Sequence, residues 1–202
     1  MTDLIALDRT AVEESLRVLR AARAGDWDRP SPCAGWTLRD LVAHMTAQHH
    51  GFAAAARGSG ADRTYWIAPD PGSDPLKTYE ESVRHVLAAF AEETDERAAG
   101  VLERGFTLPE IGGTFTGRVA VGFHLLDYVV HALDVATTIG VGVDLPRPVA
   151  EAALEVARRV PKDPGRRGPG AAFAPALPTP EDASPLEEIL ALLGRQTGAA
   201  HS

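Results

Sequence analysis

The sequence predicts an all-α protein, on three observations. Apolar residues recur at helical spacing in one segment after another, Pro/Gly-rich stretches separate those segments, and several segments open on residues that cap helix N-termini. Extended structure is expected only in a few residues around Phe106 to Leu108.

Leu4, Leu7, Val12, Leu16, Val18 and Leu19 mark a first amphipathic helix running to Arg23 and stopping at Gly25. The segment Asp26 to Trp36 holds two prolines and two tryptophans, so it reads as a structured loop whose Trp27 and Trp36 plug the bundle end. Thr37 and Asp40 form a capping box with Asp in place of Glu. They open a second helix, Leu38 to Arg57, with Leu38, Leu41, Val42, Met45 and Phe52 facing inward. His44 lies beside that face, while Asp40, Gln48, His49 and His50 spread toward its edges. Gly58 to Asp74 is a long loop with the apolar anchor Tyr65-Trp66-Ile67, expected to act as a lid.

A third helix starts at Asp74 or Pro75 and runs to about Ala99, on the stripe Leu76, Tyr79, Val83, Val86, Leu87 and Phe90. His85 falls just off that stripe and reads as surface. Gly100 to Gly113 is a connector, and a fourth helix runs from about Phe115 to Ile139 with Gly140 as its stop. Pro146 to Val160 makes a further helix and 161–184 is irregular. Ser184-Pro185-Leu186-Glu187 caps a short helix over 185–194, with Leu186, Ile189, Leu190 and Leu193 on one face. Residues 196–202 are expected to be disordered. The whole chain, 1–202, reads as one domain.

A net charge of -8 argues against nucleic-acid or anionic-membrane partners, and the pairs Arg158-Arg159 and Arg166-Arg167 are too small to reverse that. One cysteine, Cys33, permits no internal disulfide and suits a reducing cytoplasm. The N-terminus carries Asp3 and Asp8 and no apolar stretch of signal-peptide length, so a soluble cytoplasmic protein is expected.

The chemistry concentrates in Gly122 to Gly140. His124, Asp127, His131 and Asp134 stand at i, i+3, i+7 and i+10, within about 80° of arc on a helix. No Lys, Arg or Glu occurs from Val119 to Pro146, so this polar stripe points into a cavity or a metal site rather than into water. Asp127 and His131, four apart, suit one ion, and His44 is the natural third ligand for a site with an open position. Other triplets draw on His124 or Asp134. The bland alternative, a half-buried histidine hydrogen-bonded to a carboxylate, fits the same spacing. Two imidazoles and a carboxylate accept zinc, and also Fe, Ni or Mn. Asp134 has a second role open to it, orienting His131 from behind. Cys33 has no evident acid/base partner nearby and reads as structural.

The segments Pro30-Ser31-Pro32-Cys33-Ala34-Gly35-Trp36-Thr37-Leu38-Arg39-Asp40-Leu41-Val42-Ala43-His44, Asp127 to Ala136 and Leu192-Leu193-Gly194-Arg195 resemble actinobacterial metal-binding proteins of the DinB-like superfamily, related to the N-terminal domain of mycothiol-dependent maleylpyruvate isomerase. The resemblance implies a four-helix bundle holding a divalent metal, usually zinc, at positions matching His44, Asp127 and His131. It also implies a small-molecule substrate, a thiol cosubstrate such as mycothiol, and a homodimer. The isomerase has glutamate at the position of Asp127, and a C-terminal domain supplying a catalytic arginine that is not expected here. Isomerisation of maleylpyruvate itself is therefore not the expected reaction. The leading expectation is a thiol S-transferase or isomerase-like enzyme acting on a small electrophile, with Trp36 or Trp66 near the substrate. A non-catalytic metal- or ligand-binding scaffold and a thiol-independent biosynthetic enzyme using the same cavity are the alternatives.

Overall fold

The computed structural model describes residues 3–92, 100–161, 163, 167–168 and 173–195, in two compact units, Met1–Val143 and Asp144–Ser202. The first unit contains α1 (Leu4–Leu19), α2 (Leu38–Ala56), α3 (Pro75–Ala91), a hairpin of β1 (Gly105–Leu108) and β2 (Gly113–Thr116), and α4 (Gly117–Ile139). The four helices ring a common core in the order α1, α4, α2, α3. This is an all-α bundle of the expected kind, with one two-stranded addition.

Local signals place most boundaries. The Thr37 hydroxyl accepts from the Asp40 N–H while the Asp40 carboxylate accepts from the Thr37 N–H, so the capping box starts α2. Asp74 caps α3 ahead of Pro75, and Gly140, at φ 74°, ends α4 in the left-handed conformation. Helix α1 stops earlier than its apolar pattern suggests. Its regular turns end at Leu19, and a 3-10 turn at Ala24–Asp26, closed by the Asp26 carboxylate on the Arg23 N–H, redirects the chain. Helix α3 is seen to Ala91, and residues 93–99, expected to continue it, lie outside the described residues.

The hairpin corrects the expected start of the fourth helix. Phe115 and Thr116 belong to β2, paired with Phe106 and Gly105, and α4 begins only at Gly117. Phe106 and Leu108 bury their alternate side chains against α2, with Phe52, Val86, Phe90 and Val121 around them. A short strand abutting a helix leaves no room for either period to show in the sequence.

The five residues expected on the inner face of α2 are all buried. Helix α4 is long and apolar enough to cross a membrane, but 78% of its apolar window is buried inside the structure, as befits the central helix of a core.

Polar groups tie the helices together within that core. His124 Nδ1 on α4 lies 2.7 Å from Asp8 Oδ1 on α1, and His49 Nδ1 on α2 lies 2.8 Å from Ser82 Oγ on α3. Tyr79 on α3 shares a hydrogen bond with Ser15 on α1, and Tyr128 on α4 donates to the Met45 carbonyl on α2. His49 and Gln48, expected toward the edges of the apolar face, are both buried. His124, for which the polar stripe offered metal ligation, is fully buried against Asp8 instead. His85, by contrast, is exposed and bonded to Arg57, as a surface residue should be.

Burial holds His49 well below the ordinary imidazole value, with a further contribution from His124. The folded state therefore keeps it neutral while the unfolded chain protonates it, so acidification favours unfolding. Urea denaturation at pH 7 and pH 5 is expected to show a larger stability loss in the parent than in His49→Gln. The difference reaches up to about 1.4 kcal/mol per pH unit below ~6.5, and equal losses in the two proteins would refute the assignment.

The second unit holds α5 (Arg147–Ala157) and α6 (Pro185–Leu192), packed on each other. Ser184 and Glu187 form the expected capping box, and Ile189 and Leu193 are buried. Among the described residues of 161–184 there is no helix or strand. Arg167 organises that segment, its buried guanidinium donating to the carbonyls of Pro161, Ala174 and Leu192. Arg158 pairs with Glu155 and Glu188. Residues 196–202 lie outside the described residues.

Candidate metal centre

Helices α2 and α4 are neighbours in the ring, and their facing turns carry His44 and the pair Asp127/His131. One ligand atom from each of the three residues lies within 4.8 Å of the other two. His131 Nε2 is 3.3 Å from Asp127 Oδ1, and the His44 ring meets the His131 ring nearly edge-on at 5.4 Å between centroids. Asp127 Oδ2 is buried without a hydrogen-bond partner, an arrangement that costs free energy unless a cation or donor shares the space. Two imidazoles and one carboxylate, whose second oxygen is orphaned, fit a divalent ion.

The other edge of His131 is held from behind. Its Nδ1 lies 2.9 Å from Asp134 Oδ2, and Asp134 is almost fully buried. A carboxylate on Nδ1 fixes the ring so that Nε2 faces Asp127 and His44, which is how metal-binding histidines are ordinarily supported. Cys33 Sγ reaches the same Asp134 oxygen at 3.5 Å. The loop between α1 and α2 thus adds a residue that spacing along α4 could not reveal.

The titration pattern follows the geometry. Burial alone lowers the pKa of His131, yet the Asp127 carboxylate and the bonds to Asp127, Asp134 and Cys33 outweigh it and raise the value well above the ordinary one. Burial raises Asp127, but the neighbouring imidazoles win and hold its carboxyl down at about 2. His44 is lowered, chiefly by burial, which favours the neutral ring that a metal requires.

Around this cluster, Trp36 leans on His44 at 5.0 Å between centroids, 37% exposed. It lies against the site rather than plugging the bundle end. Gln48, one turn beyond His44, donates to Glu110 at the tip of the hairpin. Trp66 is not at the site. Its ring rests on Gly51, about 10 Å along α2 from His44 by helical rise, and its indole N–H donates to the Gly60 carbonyl. The middle of the 58–74 loop is thus anchored a distance along α2 from the cluster, while its Gly72 carbonyl accepts from Arg39 in the first turn of α2. Of the four-residue stripe, Asp127, His131 and Asp134 come together at the candidate centre, and His124 is buried in the core against Asp8.

A helical bundle with a His/Asp/His cluster between two of its helices defines a class of candidate metal-binding proteins, and comparison with known proteins specifies the family. Residues 9–136 match the model for the mycothiol maleylpyruvate isomerase N-terminal domain, and the chain belongs to that family. It is 30% identical over 195 residues to the uncharacterized protein Rv0738 of Mycobacterium tuberculosis (strain ATCC 25618 / H37Rv), covering 96% of this chain and 98% of that one. Among solved structures, it resembles a point mutant of the mycothiol-dependent maleylpyruvate isomerase with a TM-score of 0.62 at 16% identity, over 86% of this chain and 77% of the other. The isomerase without that mutation gives a TM-score of 0.56 at 20% identity, over 78% and 70%. At these identities the two structures speak for a shared fold.

Proposed function

We propose that the protein binds a divalent metal, zinc by preference, through His44, Asp127 and His131, and uses mycothiol or a similar thiol against a small electrophilic molecule. The observation that carries the reading is the convergence of the three ligand atoms within 4.8 Å, with Asp127 Oδ2 buried and unpartnered. Membership of the mycothiol maleylpyruvate isomerase N-terminal family supports the thiol. A divalent cation held there supplies Lewis acidity, which lowers the pKa of a bound thiol or water.

The protein's own groups set the conditions for that chemistry. His44 is neutral and offers a lone pair. Asp127 stays ionised and supplies the one negative charge among the three ligands. Asp134 fixes the tautomer of His131. The Trp36 face gives the site an apolar wall that excludes water from one side of an incoming ligand. The reaction class is addition of a thiolate to an activated carbon–carbon double bond: the thiol proton passes to solvent, the C–S bond forms as the π bond breaks, and the displaced electron pair is held as an enolate or takes up a proton from solvent. Rotation about the resulting single bond, then loss of the thiolate as the π bond re-forms, makes the same site an isomerase.

Incubating the metal-loaded protein with mycothiol and a panel of small electrophiles tests the reading. Turnover is expected to require both metal and thiol. Metal binding without turnover across the panel would favour the non-catalytic scaffold, and turnover without thiol the biosynthetic alternative.

A further inference from the structure

The loop joining α1 and α2 ends in a tight turn whose two outer residues both reach the candidate centre. The Trp36 N–H donates to the Cys33 carbonyl at 3.0 Å, closing a four-residue β-turn. Gly35, the third residue, has φ 82°, while Ala34 is not in the positive region, which is the pattern of a type II turn. The turn is braced on both sides. Ser31 donates to the Trp36 carbonyl, and Leu38 and Arg39 donate to the carbonyls of Arg29 and Trp27, so the loop is pinned to the first turn of α2. From this base Cys33 Sγ points at Asp134 Oδ2 at 3.5 Å, and the Trp36 ring lies on His44. One turn therefore touches the support of one ligand and the ring of another, on two different helices.

We propose that the Cys33–Trp36 turn is a positioning clamp for the metal centre: Cys33 orients His131, through Asp134 and from its own place within 4.8 Å of the ring, and Trp36 holds the His44 ring. The proposal rests on the metal-binding reading of His44, Asp127 and His131. Cys33 itself is a donor in this arrangement, since Asp134 Oδ2 accepts from the thiol and from His131 Nδ1 together. With the carboxylate anchored from both sides, rotation of His131 away from Asp127 and His44 is opposed. The Trp36 ring, tilted 51° against His44 at 5.0 Å between centroids, does the same for His44. Neither Cys33 nor Trp36 is a ligand or a catalytic residue in this role.

Zinc affinity by competition with a chromophoric chelator, together with the spectrum of the cobalt-substituted protein, tests the clamp in the full chain. Cys33→Ala is expected to weaken zinc about tenfold, the lower end of the range for residues that support a ligand, with one ion per chain retained. Cys33→Ser, which keeps a donor, should restore most of the loss. Gly35→Ala acts from a distance. A Cβ there meets nothing within 4 Å, so the variant strains only the positive-φ turn and leaves every ligand in place. It too is expected to weaken zinc by about tenfold and to shift the cobalt spectrum. Thermal denaturation of the metal-free variants controls for unfolding, and a folded Cys33→Ala with parental affinity overturns the clamp.

A thiolate-to-cobalt charge-transfer band in the parent, absent in Cys33→Ala, would make Cys33 a ligand and overturn the positioning role as well. The two failures separate cleanly. If the parent takes up no metal, the reading of the centre fails and the clamp with it. If the parent binds zinc, His131→Ala does not, and Cys33→Ala and Gly35→Ala match the parent, the clamp alone fails.

Discussion

Replacing His131 with alanine is expected to remove bound metal altogether: after dialysis, metal analysis should find the parent near one ion per chain and His131→Ala at background. The expected loss of affinity exceeds the roughly 10–100-fold that follows from losing a residue that merely supports a ligand. His131 is the pivot of the cluster, its Nε2 facing Asp127 at 3.3 Å and its Nδ1 facing Asp134 at 2.9 Å. Without the imidazole, a single histidine and Asp127 remain, fewer than the three protein ligands that a site with an open position uses. The metal-free variant also suffers, because two buried or half-buried carboxylates lose the cation between them. A lower melting temperature is expected even with no metal present.

The sign of the pH dependence follows from the same contacts. In the metal-free protein His131 keeps its proton well above the ordinary imidazole range, so an incoming ion must expel it. Zinc affinity is then expected to rise with pH, by up to about tenfold per unit below the raised pKa, and calorimetry near neutrality should detect about one proton released per ion bound. His50, half-buried beside His85, provides the control, and His50→Gln should keep its metal. Parental metal content in His131→Ala would end the metal reading of this cluster.

The helices and the Asp127/His131 pair are legible in the sequence because both depend on spacing along one element. Apolar residues at helical spacing mark α1 to α3, a nearly continuous apolar run stopped by Gly140 marks α4, and residues four apart on α4 necessarily share a face. What spacing cannot show is the partner across a helix boundary. Ser82 on α3 makes His49 a core residue, and Asp8 on α1 does the same for His124. Neither partner carries a local signal, since each is one polar residue in an otherwise ordinary amphipathic helix. Cys33 is hidden for the same reason, 101 positions before the carboxylate it meets. Gly35 does carry a sequence cue. A glycine between a small residue and a tryptophan, just ahead of a capping box, fits a positive-φ turn. The hairpin is partly visible at Phe106 to Leu108, but its second strand runs straight into α4 at Gly117 with no residue between the two elements.

The largest expected loss of stability comes from adding one methyl group at Gly117. This residue opens α4 directly from β2, and its N–H donates to the Arg104 carbonyl at 2.7 Å. A Cβ here would stand 1.9 Å from the Val101 carbonyl oxygen and 2.9 Å from Leu102 Cα. Both are backbone atoms of the 3-10 turn Val101–Glu103, so relief requires moving either that turn or the start of α4. Ala in place of Gly favours a helix by up to about 1 kcal/mol. Overpacking with no side chain able to yield costs about 3 kcal/mol or more, so the clash wins. Gly117→Ala is therefore expected to melt roughly 5–10 °C below the parent. Gly25→Ala isolates the intrinsic effect, because a Cβ at Gly25 meets nothing within 4 Å, and it should melt near the parent. Since α4 carries Asp127, His131 and Asp134 about three to five turns further on, the surviving folded fraction of Gly117→Ala should still gain thermal stability from zinc. A melting temperature within about 2 °C of the parent would show that the 3-10 turn yields freely and that the start of α4 is not locked against it.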